Sequence, residues 1–335
     1  MDTKESESIE RRMANLTPAQ RELLATKMTQ KNQTKPHNVI LLKEGDCNKR
    51  RPLFCLHPPL GVTGYYVNIA NLLPADQPVY GIQSPALTGP AAGHSDMTEM
   101  AKDYFAQIKL IQPEPPYQFI GHSSGSFIAY EMSKLIDNQE QNQPFLFCVD
   151  QYAPLGDQEA LASAYCVDDL EDNAGTIFLT CWLVGMAHNC ELTFSGEDLA
   201  GCASRDERYE MVSAFFKQAG FIPQSADLSM VSKVLRMVAN HFSADAKYFQ
   251  QNNQSFPDKK YEGTMVVFRS TEKTNWIGMG IETEADSSPS AGWDSFCSNP
   301  VDVIDIPESD HINIFMEPAV EKIANELTKY LYVSS

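Results

Sequence analysis

The sequence predicts an α/β fold: a mostly parallel sheet flanked by helices, with an all-helical insertion. Three observations carry this reading. Short apolar runs of strand length alternate with longer patterns of helical period from Val39 to Val149. One strand-to-helix junction is Gly121-His122-Ser123-Ser124-Gly125, a G-x-S-x-G turn preceded by the apolar run Tyr117 to Ile120 and followed by Ile128, Met132, Leu135 and Ile136 at helical spacing. The strand signal then disappears from Leu155 to about Gln254 and resumes at Thr264.

Residues 1–37 read as an appendage. Within it Thr17-Pro18-Ala19-Gln20 is a capping box that starts a short amphipathic helix, and the polar stretch Gln30 to His37 reads as a linker. The core is expected over 38–154 and 255–335. It opens with strands Val39 to Leu42 and Leu53 to Leu56. The second runs into the loop His57-Pro58-Pro59-Leu60-Gly61, ahead of the helical pattern Tyr65, Tyr66, Ile69, Leu72. In this kind of fold that loop lies beside the serine turn and supplies an oxyanion donor. Pro58 and Pro59 have no N–H, so Leu60 or Gly61 must donate.

Val79 to Ile82 is a further strand, and Met97 to Ile111 a helix with Met100, Ala101, Tyr104, Phe105 and Ile108 on one face. Between them Gly93-His94-Ser95 is only faintly like a phosphopantetheine attachment site, and Ser95 reads better as the cap of the helix. Pro144 to Val149 forms a strand that ends in Asp150. The insertion, 155–254, carries helical patterns at Ile177 to Met186, at Arg205 to Gln218 behind the capping box Ser204-x-x-Glu207, and from Leu228 to Phe242. Its Trp182, Met186, Met211, Phe215, Phe216, Met230 and Met237 suit an adaptable apolar channel, although such stripes more often serve helix-on-helix packing. Strands return at Thr264 to Phe268 and Val301 to Ile306, separated by a polar loop expected to move. A last helix is expected over Pro318 to Tyr330.

The formal charge of −18 disfavours nucleic acid and anionic lipid as partners. The charged N-terminus has no secretory pattern, and the longest apolar run, Gly175 to Ala187, is short of the ~20 residues a membrane helix needs, so a cytoplasmic location is expected. The eight cysteines show no C-x-x-C spacing and the seven histidines no H-E-x-x-H, which points to reduced thiols and no structural metal.

Ser123 is the candidate nucleophile, held out at a strand edge by small neighbours. The helix behind it aims the Ser124 N–H and the positive end of its dipole at any oxyanion formed there. Asp150 ends a strand at the edge where such folds assemble their sites. His311, in Pro307-Glu308-Ser309-Asp310-His311, follows the last strand at that same edge, whereas His188 and His241 fall inside helical patterns and read as packing or surface residues. The order Ser123, Asp150, His311 is the α/β-hydrolase order of nucleophile, acid and base. Glu272 and Asp286, beyond Phe268, are the alternative acids.

On these residues the chain resembles the thioesterase domains that release chains from nonribosomal peptide and polyketide synthases, over roughly residues 50–332. The matching pieces are Pro52-Leu53-Phe54-Cys55-Leu56-His57-Pro58, Val79-Tyr80-Gly81-Ile82-Gln83, Gln112-Pro113-Glu114-Pro115-Pro116-Tyr117, the serine turn, Ala129-Tyr130-Glu131-Met132, Asp150-Gln151-Tyr152-Ala153-Pro154, Gly292-Trp293 and Asp310-His311. The resemblance implies Ser123, Asp150 and His311 as the triad, Leu60 and Ser124 as backbone oxyanion donors, and residues 155–254 as a lid over the acyl channel. It further implies an acyl or peptidyl carrier protein as partner and no cofactor, the substrate arriving on the carrier's phosphopantetheine. Ser126 and Ser309 stand where the family favours glycine. The expected activity is release of the chain through an acyl-Ser123 intermediate, by hydrolysis or macrocyclisation. The rivals are an editing thioesterase or carboxylesterase and, outside enzymes, an idle hydrolase fold used for docking.

Overall fold

The computed structural model describes residues 36–89, 93–136, 142–154, 172–252, 257, 259–272 and 290–331; the helix expected within 1–37 and Asp286 lie outside them. In chain order the elements are strands β1 (Val39–Lys43) and β2 (Leu53–Leu56), helix α1 (Val67–Leu72), β3 (Val79–Ile82), α2 (Met97–Ile108), β4 (Gln118–His122), α3 (Gly125–Ser133) and β5 (Phe145–Val149). Four helices follow, α4 (Ala174–His188), α5 (Gly196–Gly201), α6 (Arg205–Gln218) and α7 (Leu228–Asn252), and then β6 (Thr264–Ser270), β7 (Asp302–Ile306) and α8 (Ala319–Thr328). The strands form one sheet in the order β1-β3-β2-β4-β5-β6-β7, with β1 antiparallel to β3 and every other pair parallel.

The central strands carry near-continuous apolar side chains because helices cover both faces of a parallel sheet. On one face Phe54, Phe119 and Leu146 pack against α2 and α3; on the other Cys55, Ile120, Phe147 and Val266 pack against α1 and α8. Two expectations shift. The cap of α2 is Asp96, whose carboxylate accepts the Glu99 N–H at 3.0 Å, and not Ser95. The same helix ends at Ile108, its continuation drawn into tight turns (Ile111 N–H to Ile108 O, 2.9 Å) ahead of Pro113.

Helices α4 to α7 share their own apolar cluster, in which Trp182, Phe215, Phe216 and Met237 are buried against one another; those four serve packing, while Met186 and Met230 are exposed. The last of these helices runs farther than its apolar pattern suggested. Its first half lies in that cluster, but Ala244, Tyr248 and Phe249 belong to the sheet's core, where Tyr248 and Phe249 pack on Phe127 of α3. One helix therefore spans both cores.

Candidate active site

β2, β4, β5 and β7 deliver the candidate groups to one edge of the sheet. The last residue pairs are Leu56 with Gly121 and His122 with Val149, after which β2 and β4 diverge. Where the ladder stops, the Tyr66 hydroxyl takes over: it donates to Leu56 O at 3.0 Å and accepts the His122 N–H at 2.8 Å.

Ser123 follows β4 with φ 53°, a left-handed conformation that costs a non-glycine residue ~1–3 kcal/mol and persists only where the surroundings dictate it. The two glycines of the motif make the turn possible. A Cβ at Gly121 would stand 2.2 Å from the Gly125 carbonyl carbon, and one at Gly125 2.7 Å from Leu56 O, so only hydrogen fits at either position. Ser126, in place of a family glycine, is accommodated: its hydroxyl donates to Gly121 O at 2.7 Å and closes the turn. Ser124 caps α3, with its N–H at the positive end of that helix.

Asp150 also has a left-handed backbone, φ 49°, and its N–H continues the ladder to Phe268 O at 2.8 Å. Its carboxylate is held at both oxygens: Oδ1 accepts the Ser270 N–H at 2.7 Å and Oδ2 accepts from His311 Nδ1 at 2.8 Å. Burial pushes this carboxyl up, but the His311 and Ser270 hydrogen bonds outweigh it and leave the pKa at about 2, so Asp150 is an anion at neutral pH. With Nδ1–H donated to Asp150, a neutral His311 carries its lone pair on Nε2.

The His311 loop is tied down locally. Ser309, the other departure from glycine, donates to Ile306 O at 2.7 Å, and Asp310 Oδ1 accepts the N–H groups of Ile312 and Asn313, each at 2.9 Å. His122 lies against His311, donating from Nε2 to His311 O at 2.9 Å with the two rings 4.7 Å apart. Burial, and then the charge that His311 can carry, depress His122 to about 3, so it stays neutral. Of the alternative acids, Glu272 is exposed and gives its N–H to Ser309 O at 2.9 Å.

In the loop after β2 the Gly61 N–H is taken by Pro58 O at 2.9 Å, which leaves Leu60 as the donor not drawn into the turn. His57 Nδ1 also donates to Pro58 O, at 2.8 Å, and its Nε2 accepts from the Tyr104 hydroxyl at 2.6 Å. The structure thus brings Asp150 and His311 into contact, sets Ser123 and Ser124 on the adjoining strand end, and places Leu60 on the neighbouring loop. Sequence reasoning gave no role to His122 and Tyr66, read His241 as a packing or surface residue and passed over Asp245. The last two interrupt the apolar stripe of α7 yet are 2% and 9% exposed, and a polar pair spaced i, i+4 on an apolar face was the available signal.

A model of the family described as thioesterase domain matches residues 51–330. Among curated proteins the chain is 35% identical over 39% of its length to malpibaldin synthetase of Mortierella alpina, and 23% identical over 80% of its length to a dimodular nonribosomal peptide synthase of Bacillus subtilis. It spans 2% and 10% of the length of those relatives. Among solved structures, a four-domain nonribosomal peptide synthetase bound to AMP and glycine matches 88% of this chain and 20% of its own, at 24% identity and a TM-score of 0.65. The Vlm2 thioesterase domain matches 87% of this chain and 97% of its own, at 17% identity and a TM-score of 0.59. At such identities the structural likeness speaks for the fold, which is that of the α/β-hydrolases. Among the described residues no helix is long and apolar enough to cross a membrane.

Proposed function

The chain belongs to the thioesterase-domain family, and from that premise we propose that it is a serine thioesterase releasing an acyl, peptidyl or polyketide chain from the phosphopantetheine thioester of a carrier protein. His311 Nε2 takes the Ser123 proton as the Ser123 oxygen bonds to the thioester carbon. The negative charge that develops on the carbonyl oxygen meets the N–H groups of Leu60 and Ser124. As the C–S bond breaks, His311 returns its proton to the departing thiolate and the acyl group remains on Ser123. Water, or a hydroxyl or amine of the chain itself, then attacks that ester with His311 again as base. Asp150 holds the imidazole in the Nδ1–H tautomer and stabilises the imidazolium of each transition state.

The observation that carries this reading is the 2.8 Å contact between His311 Nδ1 and Asp150 Oδ2, with the second carboxylate oxygen fixed by Ser270 N–H. A carboxylate immobilised at both oxygens, against an imidazole whose backbone is also held, is built for orientation. The test is intact-protein mass spectrometry with a panel of acylated carrier proteins. An adduct on Ser123 that decays to free acid or macrocycle supports the proposal. Failure of both the carrier substrates and a fluorophosphonate to modify Ser123 points to a docking role, and preferential turnover of acetyl-carrier points to editing.

A further inference from the structure

Helix α7 turns a stripe of four side chains toward the loop after β2, the serine turn and the helix that follows it. Met237 lies against Gly61, its Sδ and Cε 3.0 Å from where a Cβ would stand. His241 Nδ1 donates to Pro59 O at 2.7 Å, and its Nε2 accepts from the Ser84 hydroxyl at 3.2 Å. One turn on, Asp245 is buried beside the Ser124 side chain, which favours its charged form against the burial. Tyr248 then donates to Glu131 Oε1 at 2.7 Å, on the helix that begins at the serine turn. The spacings 237, 241, 245 and 248 are those of one helical face.

The contact with Pro59 bears directly on Leu60. Pro59 C=O and Leu60 N–H belong to one planar peptide unit, in which the two groups point in opposite directions. Fixing the carbonyl therefore fixes the direction of the N–H, and a bond to the carbonyl also polarises the amide and strengthens its donor. Ser124 provides the other proposed donor, and its side chain faces Asp245 of the same helix. We propose that α7 is a brace for the oxyanion hole, with His241 and Asp245 as positioning residues that set the direction and separation of the Leu60 and Ser124 N–H groups. This inference rests on the reading of Ser123 as nucleophile. Neutrality is part of the design. Burial keeps His241 and its ring neighbour His57, 4.8 Å away, below the ordinary histidine range, and raises Asp245 to about 8, so these three groups bring no charge beside the oxyanion at neutral pH.

The test compares replacements that keep or delete a single bond. In His241→Asn the amide N–H stands where Nδ1 stood and can still reach Pro59 O; in His241→Gln it stands where Nε2 stood, and in His241→Leu it is gone. Turnover of hexanoyl N-acetylcysteamine thioester by the full chain should fall ~10- to 100-fold in kcat for the Leu and Gln variants with KM little changed, part of the ~10²–10³ lost when an oxyanion donor is removed outright. The Asn variant should stay within about threefold of wild type. Asp245→Leu should lose kcat in the same way and Asp245→Asn, which keeps a partner for Ser124, should not. Melting temperatures of all five identify any variant whose loss is a loss of fold. A folded His241→Leu with wild-type kcat, or His241→Asn falling as far as His241→Leu, overturns the brace. Wild-type protein that neither turns over the thioester nor accepts a fluorophosphonate overturns the underlying reading, and the brace with it.

Discussion

Replacing Asp150 by asparagine preserves the shape of the side chain and changes only which of its atoms accept. Ser270 N–H, 2.7 Å from Oδ1, requires an acceptor, so the asparagine carbonyl oxygen goes there and the NH₂ faces His311 Nδ1, at the position now 2.8 Å away. Nδ1 must then accept, the imidazole proton moves to Nε2, and the base has no lone pair for the Ser123 proton. Flipping the amide restores the useful tautomer but sets two buried donors against each other at Ser270, at ~1–3 kcal/mol. The lost anion adds to this, since two unit charges ~4 Å apart interact by about 4 kcal/mol at an effective dielectric constant of ~20. The lost charge alone corresponds to about 10³-fold and the sum to ~10⁴-fold or more, on either side of the ~10³–10⁴-fold loss of kcat expected when a triad acid is neutralised. Stopped-flow release of thiol from hexanoyl N-acetylcysteamine thioester measures it, with Glu272→Gln as the control expected within several-fold of wild type. Near-normal turnover by folded Asp150→Asn, with the loss appearing in Glu272→Gln, would refute the reasoning.

Ser123→Ala should abolish fluorophosphonate labelling, whereas Ser124→Ala, which keeps its backbone N–H, should still label; a labelled Ser123→Ala protein rules the assignment out. Gly121→Ala, whose new Cβ would meet backbone at 2.2 Å, should destabilise the protein by ~1–3 kcal/mol or more in urea unfolding, and a variant as stable as wild type would show that the turn relaxes. Stability should peak near pH 6.5. Burial depresses His122 to about 3 and His241 to about 4, so from pH 4 to 6.5 the unfolded chain binds more protons at both, and each adds about 1.4 kcal/mol per pH unit as pH rises. Asp245, held protonated by burial up to about 8, opposes them by a like amount and continues to do so above pH 6.5, where the two histidines no longer contribute and stability falls. Asp245→Asn should flatten the limb from pH 6.5 to 8, and an unchanged limb would place the titration elsewhere.

The sheet was legible because parallel strands buried on both faces read as short apolar runs, and β2 and β3 have the bounds that their sequences suggest. The serine turn was legible because Gly121 and Gly125 are dictated by backbone contacts of a few ångströms, which leave a local mark on the sequence. Asp150 and His311 were legible by order and strand position. What local patterns do not carry is contact between distant segments. His122 touches the backbone of a residue 189 positions later, and His241 one 182 positions earlier. Nothing in either neighbourhood announces the partner. The same reason explains α7: its apolar period describes the half that packs within the insertion, while His241 and Asp245 face a loop and a turn far earlier in the chain.

The Tyr66 hydroxyl bridges Leu56 O and the His122 N–H where a further rung of β ladder would otherwise stand. A peptide rung has a fixed length near 4.8 Å between strands, so a gap spanned by backbone comes in one width. A gap spanned by a phenol at its base inherits its width from side-chain rotamers and from the helix that carries the ring. The opening between the two strand ends is thereby adjustable with no change of register for as long as the phenol is kept, since its hydroxyl is the partner of both backbone groups. Substitution of the ring neighbours Tyr65 and Phe315 can therefore shift the phenol and the separation of the strand ends while the strands and the serine turn stay untouched, whereas loss of the hydroxyl itself leaves Leu56 O and the His122 N–H without their partner.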